Sequence, residues 1–254
     1  MRIAIVTGAS SGMGKIFVKT IINQMKGLDE VWIIARREKR LTSFGTMYET
    51  VAFRPLVMDL QKEEDIERLR QMLKDEKPEI ACLVHSAGFG IMGRIDDLPA
   101  RDQEEMVDVN CKSVVSIANM TLPYMEPDGR MIFMASASAF LPQPGFAVYA
   151  ASKAFVLSFV RALRAEARDR KLRITAVCPG AVRTEFFDRA LVREELPVYK
   201  KLVMADPKKV VKKAWRDNGR NVEVSVYGLP IRMTRAAAKL LPHKLLLSFM
   251  GGKK

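Results

Sequence analysis

Short apolar runs and longer amphipathic stretches alternate along most of this chain. Arg2–Thr7, Val31–Ala35, Leu56–Met58, Ile80–Val84, Met131–Ala135, Arg173–Val177 and Val222–Val226 are brief and largely apolar, which predicts buried strands. Between them apolar residues return at helical spacing. Ile16, Val18, Ile21, Ile22 and Met25 run up to a stop at Gly27, and Ile66, Leu69 and Leu73 line the charged stretch Glu63–Lys74. A long helix is expected from Arg101 to Leu122, and another from Tyr149 through Phe155, Val156, Phe159, Val160 and Leu163. Alternation of this kind predicts an α/β domain with a mostly parallel sheet. Asp206-Pro207 reads as a helix cap and first turn, and Pro242 is expected to split the last segment, Ile231–Met250, into two short helices.

A length of 254 residues fits one large α/β domain, and 48% hydrophobic residues suffice for its core. No run of eighteen uncharged apolar residues occurs, and the first strand starts too early to leave room for a signal peptide. Cys82, Cys111 and Cys178 are far apart, which suggests reduced thiols and a cytoplasmic location. His85 and His243 do not suggest a metal site, and Trp32 and Trp215 are too isolated to form a nucleic-acid stacking platform. The formal charge of +13 is concentrated at one end. From residue 200 to 254 fourteen Lys/Arg face only Asp206, Asp217 and Glu223, a net +11.

Two stretches carry chemistry. The first is Thr7-Gly-Ala-Ser-Ser-Gly-Met-Gly14, a glycine-rich turn between strand and helix where a pyrophosphate would meet backbone N–H groups at the positive helix end. The next strand ends in Ala35-Arg36-Arg37, with guanidinium groups where an acidic residue would hold the ribose of NAD. That favours the 2′-phosphate of NADP. The second stretch runs from Ser136 to Lys153. Pro142, Pro144 and Gly145 force a loop, after which Tyr149 and Lys153 lie one helical turn apart. An ammonium so placed is expected to lower the phenol pKa toward the range useful for proton transfer, with the Ser136 hydroxyl within reach.

With Asn110 and Pro179-Gly180 in their order and spacing, these motifs resemble the short-chain dehydrogenase/reductase family over nearly the whole chain, as a bacterial-type NADP(H)-dependent member. The resemblance implies a Rossmann-type doubly wound sheet of about seven strands in the order 3-2-1-4-5-6-7, with helices on both faces and a C-terminal helical extension. It implies a catalytic set of Asn110, Ser136, Tyr149 and Lys153. It also implies NADP(H) contacts from Gly8, Ser10, Ser11, Gly12, Met13 and Gly14, from Arg36 and Arg37, and from Asp59 and Leu60 beside the adenine. Ala87, Gly88, Asn110, Tyr149 and Lys153 would follow the cofactor inward, and Pro179, Gly180, Val182 and Thr184 would cover its nicotinamide. His85-Ser86 departs from the family's Asn-Asn, and Ser11 stands where a subset of NADP-using relatives has a basic residue. A structural role is expected for His85.

Phe186, Phe187, Leu191, Val192, Leu196, Tyr199, Leu202 and Met204 read as an apolar lid. Phe89, Ile91, Met92, Phe140, Leu141 and Phe146 would close the same pocket from the other side. A bulky hydrophobic substrate is therefore expected, steroid-, bile-acid- or lipid-like. A 3-oxoacyl-thioester reductase, docking an acidic carrier through the basic tail, is one alternative, and a non-catalytic NADP(H)-binding protein at a membrane surface is another. Residues 1–230 are expected to form the catalytic domain and 231–254 a basic, leucine-rich tail packed on or beside it. The tail leucines are expected to pack over the pocket or against a second subunit, since the family implies a dimer or tetramer. The charge points to weak contact with an anionic membrane, and so to a peripheral position for an otherwise cytoplasmic protein.

Overall fold

The computed structural model describes residues 1–44, 51–190 and 204–250. Its strands are β1 (Arg2–Thr7), β2 (Glu30–Ala35), β3 (Ala52–Val57), β4 (Glu79–His85), β5 (Met125–Met134), β6 (Arg173–Val177) and β7 (Val224–Ser225). All pair in parallel, in the expected order β3-β2-β1-β4-β5-β6-β7. The helices are α1 (Gly12–Gln24), α2 (Glu38–Thr42), α3 (Glu63–Glu76), α4 (Ala100–Val107), α5 (Ser113–Thr121) and α6 (Ala147–Glu166). They continue as α7 (Phe186–Ala190), α8 (Pro207–Gly219), α9 (Leu229–Leu240) and α10 (His243–Met250).

The two-residue period of each strand sorts its side chains between two cores. Ile3 and Ile5 of β1 point to one face, where α3, α5 and α6 cover them with Leu69, Ile117 and Val156. Ala4 and Val6 point to the other, under Phe17, Val18 and Ile21 of α1 and Val210, Val211 and Ala214 of α8. Each fully buried Ile or Leu contributes about 1.5–3 kcal/mol, so both sheet faces need their helices. The chain leaves β1 toward β2 and β3, then returns to β4 on the other side of β1. That reversal opens a crevice at the carboxyl ends of β1 and β4.

Some boundaries differ from the pattern. β3 starts at Ala52, although Pro55 interrupts it. An edge strand tolerates a proline because one of its sides makes no ladder bonds. β5 is longer than its apolar run and β7 shorter. The helix expected over 101–122 is broken by a π-helical turn, Asp108–Lys112, with Asn110 inside it. Asp206 caps α8 by accepting from the Lys208 N–H at 2.8 Å, with Pro207 in the first turn, and Pro242 separates α9 from α10.

The tail packs against the fold through one face of its first helix. Helix α9 begins at Leu229, with Pro230 in its first turn. Ile231 turns inward over Gly180, and the Arg235 guanidinium sits 6.0 Å from the Phe140 ring centre. Leu229, Met233 and Leu240 are 67%, 63% and 82% exposed, and Leu241 and Leu245 are also exposed. The inward face of α9 is taken by Ile231 and Arg235, and Leu229, Met233 and Leu240 point outward from the single chain, where a second subunit would meet them. Leu191, Val192, Leu196, Tyr199 and Leu202 of the expected lid lie outside the described residues. No helix among the described residues is long and apolar enough to cross a membrane.

Candidate active site

The turn between β1 and α1 is shaped by close packing. Gly8 has φ +65°, and a Cβ there would meet the Ser86 carbonyl and the Ala87 nitrogen at 2.8 Å. Gly14 lies just as tightly against the Gly8 carbonyl. The turn therefore lies directly against the end of β4, and a cavity of about 340 Å³ opens above it. Gly8, Ser10, Ser11, Gly12 and Met13 line one wall of this cavity. Helix α1 has no side-chain cap from Ser11 and no acidic residue in its first turn. Its first N–H groups thus face the cavity as donors for an anion.

Arg36, Arg37, Asp59 and Leu60 line the outer wall. Arg37 donates through Nε and Nη2 to Ser10 Oγ (3.2 and 3.1 Å) and through Nη2 to Ser11 Oγ (2.7 Å). Its third nitrogen, Nη1, donates to Glu185 at 2.9 Å. Arg36 faces Asp59 at 3.8 Å. Uncapped helix donors at one end and two guanidinium groups at the other fit a nucleotide bearing phosphates at both places. Ala87, Gly88 and Thr184 complete the lining. Gly14, Pro179, Gly180 and Val182 do not reach it. Pro179 accepts from the Ala137 N–H at 2.8 Å, and Val182 bridges to Ala205.

Asn110, Ser136, Tyr149 and Lys153 come together behind Gly88 and Phe89, all buried, and none of the four lines the cavity itself. Gly88 links them to the cavity. A Cβ on it would lie 2.8 Å from Asn110 Oδ1 and 3.1 Å from Lys153 Nζ. Asn110 is held from three directions. Its amide donates to the Phe89 carbonyl (2.8 Å) and Ser152 Oγ (3.0 Å), and its oxygen accepts from the Phe89 N–H (3.1 Å). Ser136 Oγ accepts from the Ser138 N–H at 3.1 Å, and the Ser136 and Tyr149 hydroxyls hydrogen-bond to each other. The Tyr149 ring stacks on Phe146 at 4.3 Å, with Phe186 at 5.5 Å on another side. Gly90 admits that stack, since a Cβ there would meet Tyr149 and Phe146 at 2.7 and 2.8 Å.

The electrostatics correct one expectation. Burial pushes the Tyr149 phenol up to about 12, and the Ser136 hydrogen bond only partly opposes it. Burial also brings Lys153 down to about 8. The ammonium does not dominate, because Lys153 Nζ lies 5.8 Å from the tyrosine ring centre and donates to the Met134 carbonyl at 3.0 Å. Within the protein alone, low dielectric outweighs the pairing and favours the neutral form of both groups.

His85 is structural, as expected, and its tautomer follows from its neighbours. Ser113 Oγ spends its proton on the Val109 carbonyl (2.6 Å), so it accepts from His85 Nε2 (3.2 Å). His85 Nδ1 then accepts from the Thr7 hydroxyl (3.1 Å), whose oxygen accepts from the Ser86 and Ala87 N–H groups (3.1 Å each). Burial holds the ring neutral by lowering its pKa to about 3. This chain ties the glycine-rich turn to the π-helical turn of Asn110. Ser86, Phe89 and Phe186, already marked by the sequence, also line the cavity, as do Val109 and Glu185, which carry no local sequence signal for doing so.

Comparison with known proteins agrees with this geometry. The family model described as "short chain dehydrogenase" matches residues 2–194. The chain is 30% identical over 192 residues to sulfoacetaldehyde reductase 2 of Chromohalobacter salexigens, covering 72% of this chain and 74% of that protein. It is similar in structure to a short-chain dehydrogenase from Sphingobium yanoikuyae in complex with NADPH, with a TM-score of 0.80, 23% identity, and coverage of 100% and 96% of the two chains. A bulky-bulky ketone specific alcohol dehydrogenase from Comamonas testosteroni gives a TM-score of 0.76 at 22% identity, covering 100% of this chain and 95% of that one.

Proposed function

The chain belongs to the short-chain dehydrogenase family, so it is an oxidoreductase acting on CH–OH groups with a nicotinamide cofactor, and from that premise we propose that it transfers a hydride between NADP(H) and the carbonyl or secondary alcohol of a bulky hydrophobic substrate. The observation that carries this reading is the Tyr149 phenol, hydrogen-bonded to Ser136 and packed beside Phe186, which lines the cavity whose outer wall holds Arg36 and Arg37. The NADPH complex of the Sphingobium protein supports the phosphate-bearing cofactor, as do the two arginines.

Bound NADP(H) supplies or accepts the hydride. Tyr149, neutral at physiological pH, gives its proton to the carbonyl oxygen in reduction and takes it back in oxidation. Ser136 Oγ accepts from the Ser138 N–H, which orients the hydroxyl, and the proton it shares with the Tyr149 oxygen would turn to hold the substrate oxygen. Lys153 is charged below about pH 8 and holds the nicotinamide ribose from its position beside Gly88. Asn110 positions that corner through its clamp on Phe89 and Ser152. Gly8, Ser10, Ser11, Gly12 and Met13 would receive the pyrophosphate, Arg36 and Arg37 the 2′-phosphate, Asp59 and Leu60 the adenine side, and Thr184 the nicotinamide side.

The substrate class rests on Phe146, Phe186 and Phe89 around the tyrosine. An aromatic wall favours apolar bulk, as in the bulky ketones taken by the Comamonas enzyme. The relative reducing sulfoacetaldehyde takes a small anion, which gains little from an aromatic wall. Steady-state NADPH oxidation against steroid and aryl ketones, 3-oxoacyl thioesters and sulfoacetaldehyde tests the reading. Turnover of the bulky ketones with the highest kcat/KM is expected, and preference for sulfoacetaldehyde or thioesters overturns the substrate class.

The same reading takes residues 1–230 as the catalytic domain of a cytoplasmic dimer or tetramer, with the tail touching an anionic membrane. Leu229, Met233, Ala236 and Leu240 recur at helical spacing and form one exposed stripe along α9, flanked by exposed Arg232 and Lys239. No acidic residue follows Glu223 in the sequence. An apolar stripe beside cations with no compensating acid suits an anionic lipid surface.

A further inference from the structure

We propose that Glu185 is a specificity-determining residue that competes, from within the chain, for Arg37, one of the two guanidinium groups that would receive the 2′-phosphate of NADP(H). This rests on NADP(H) being the cofactor. Glu185 Oε2 accepts from Arg37 Nη1 at 2.9 Å, and both its oxygens accept from Arg40 Nη1 at 2.7 Å. The two cations come from the end of β2 and from α2, whereas Glu185 comes from the segment after β6. The carboxylate therefore crosses the mouth of the crevice to reach them. It lines the same cavity as Ser10, Ser11 and Arg37. Arg40 first, then Arg37, hold its carboxyl below the usual glutamate range, so it is an anion at neutral pH.

The remaining donors of Arg37 are committed. Nε and Nη2 are fixed on the serines of the glycine-rich turn, which leaves the edge that Glu185 holds as the one aimed outward. A phosphate pairing with Arg37 must displace the carboxylate or share the charge with it. A ribose with a free 2′-hydroxyl makes no such demand. Glu185 thus weakens the phosphate-bearing cofactor selectively and narrows the preference that the arginines alone would create. The ion pairs are about half exposed. Exposed pairs are individually weak, so the effect of removing them is roughly three- to tenfold in affinity.

Calorimetric titration of 2′,5′-ADP and of 5′-AMP into the wild-type chain and the Glu185→Gln variant tests this without turnover. The variant is expected to bind 2′,5′-ADP roughly three- to tenfold more tightly and 5′-AMP unchanged. Unchanged or weaker 2′,5′-ADP binding in the variant, with a wild-type preference for 2′,5′-ADP intact, overturns the role of Glu185 alone. A wild-type chain that does not prefer 2′,5′-ADP over 5′-AMP overturns the NADP(H) reading, and this proposal with it.

Discussion

The Lys153 ammonium lies 5.8 Å from the centre of the Tyr149 ring, and its hydrogen bond goes instead to the Met134 carbonyl at 3.0 Å. The geometry makes the lysine a strained tenant of the chain, since burial lowers its pKa to about 8. The folded state therefore disfavours its charge. The stability that this depressed pKa allows is fully present above the unfolded value near 10.4 and lost as pH falls through about 8.

Lys153→Met removes that dependence. Between pH 10 and pH 7 the wild type is expected to lose up to about 3 kcal/mol relative to the variant, followed by urea denaturation at each pH. The Tyr149 phenol is common to both chains, and its raised pKa cancels in the difference. Parallel pH profiles would show that burial does not penalise the amine.

His85 gives a second pH dependence, on the acid side. Its pKa is lowered to about 3, so the wild type loses stability as pH falls below the unfolded value near 6.5. Between pH 7.5 and pH 5 the expected loss is about 2 kcal/mol. His85→Asn should be less stable at pH 7.5, because Thr7 and Ser113 lose their shared partner. It should also show a flatter acid profile. An unchanged slope in denaturant midpoint against pH would remove the buried neutral imidazole from the account.

The exposed stripe on α9 predicts salt-sensitive sedimentation with vesicles containing phosphatidylglycerol. Each basic side chain near such a surface contributes about 1 kcal/mol. Met233→Ser with Leu240→Ser should lower the bound fraction several-fold at low salt, with the oligomeric mass unchanged by light scattering. A fall in mass with vesicle binding intact would assign the stripe to a subunit interface instead.

Much of this architecture is written locally. The turn from Gly8 to Gly14 and the one-turn spacing of Tyr149 and Lys153 each lie within one short stretch, so residue type and spacing suffice to read them. The strand order follows from the same alternation together with the family resemblance. Features that depend on distant partners were not legible. Glu185 meets Arg37 and Arg40 across nearly 150 positions, and nothing near residue 185 marks it. The π-turn at Asn110 depends on Phe89 and Ser152, and the neutral His85 on Thr7 and Ser113. Pro55 hid the first half of β3, because only its position at the sheet edge makes it tolerable. The tail leucines were only partly legible for a related reason. A helical stripe shows that one face is apolar, not whether this chain covers it, and the inward side of α9 is filled by Ile231 and Arg235.

The central claim is that Tyr149 moves the proton that accompanies hydride transfer. Tyr149→Phe keeps the stack on Phe146 and removes the hydroxyl bonded to Ser136. NADPH binding by fluorescence titration should stay within about twofold of wild type, while kcat for the best ketone of the panel falls by at least ~10²-fold. A variant that binds NADPH normally and turns over at a rate comparable to wild type would contradict the assignment of Tyr149 and the mechanism built on it.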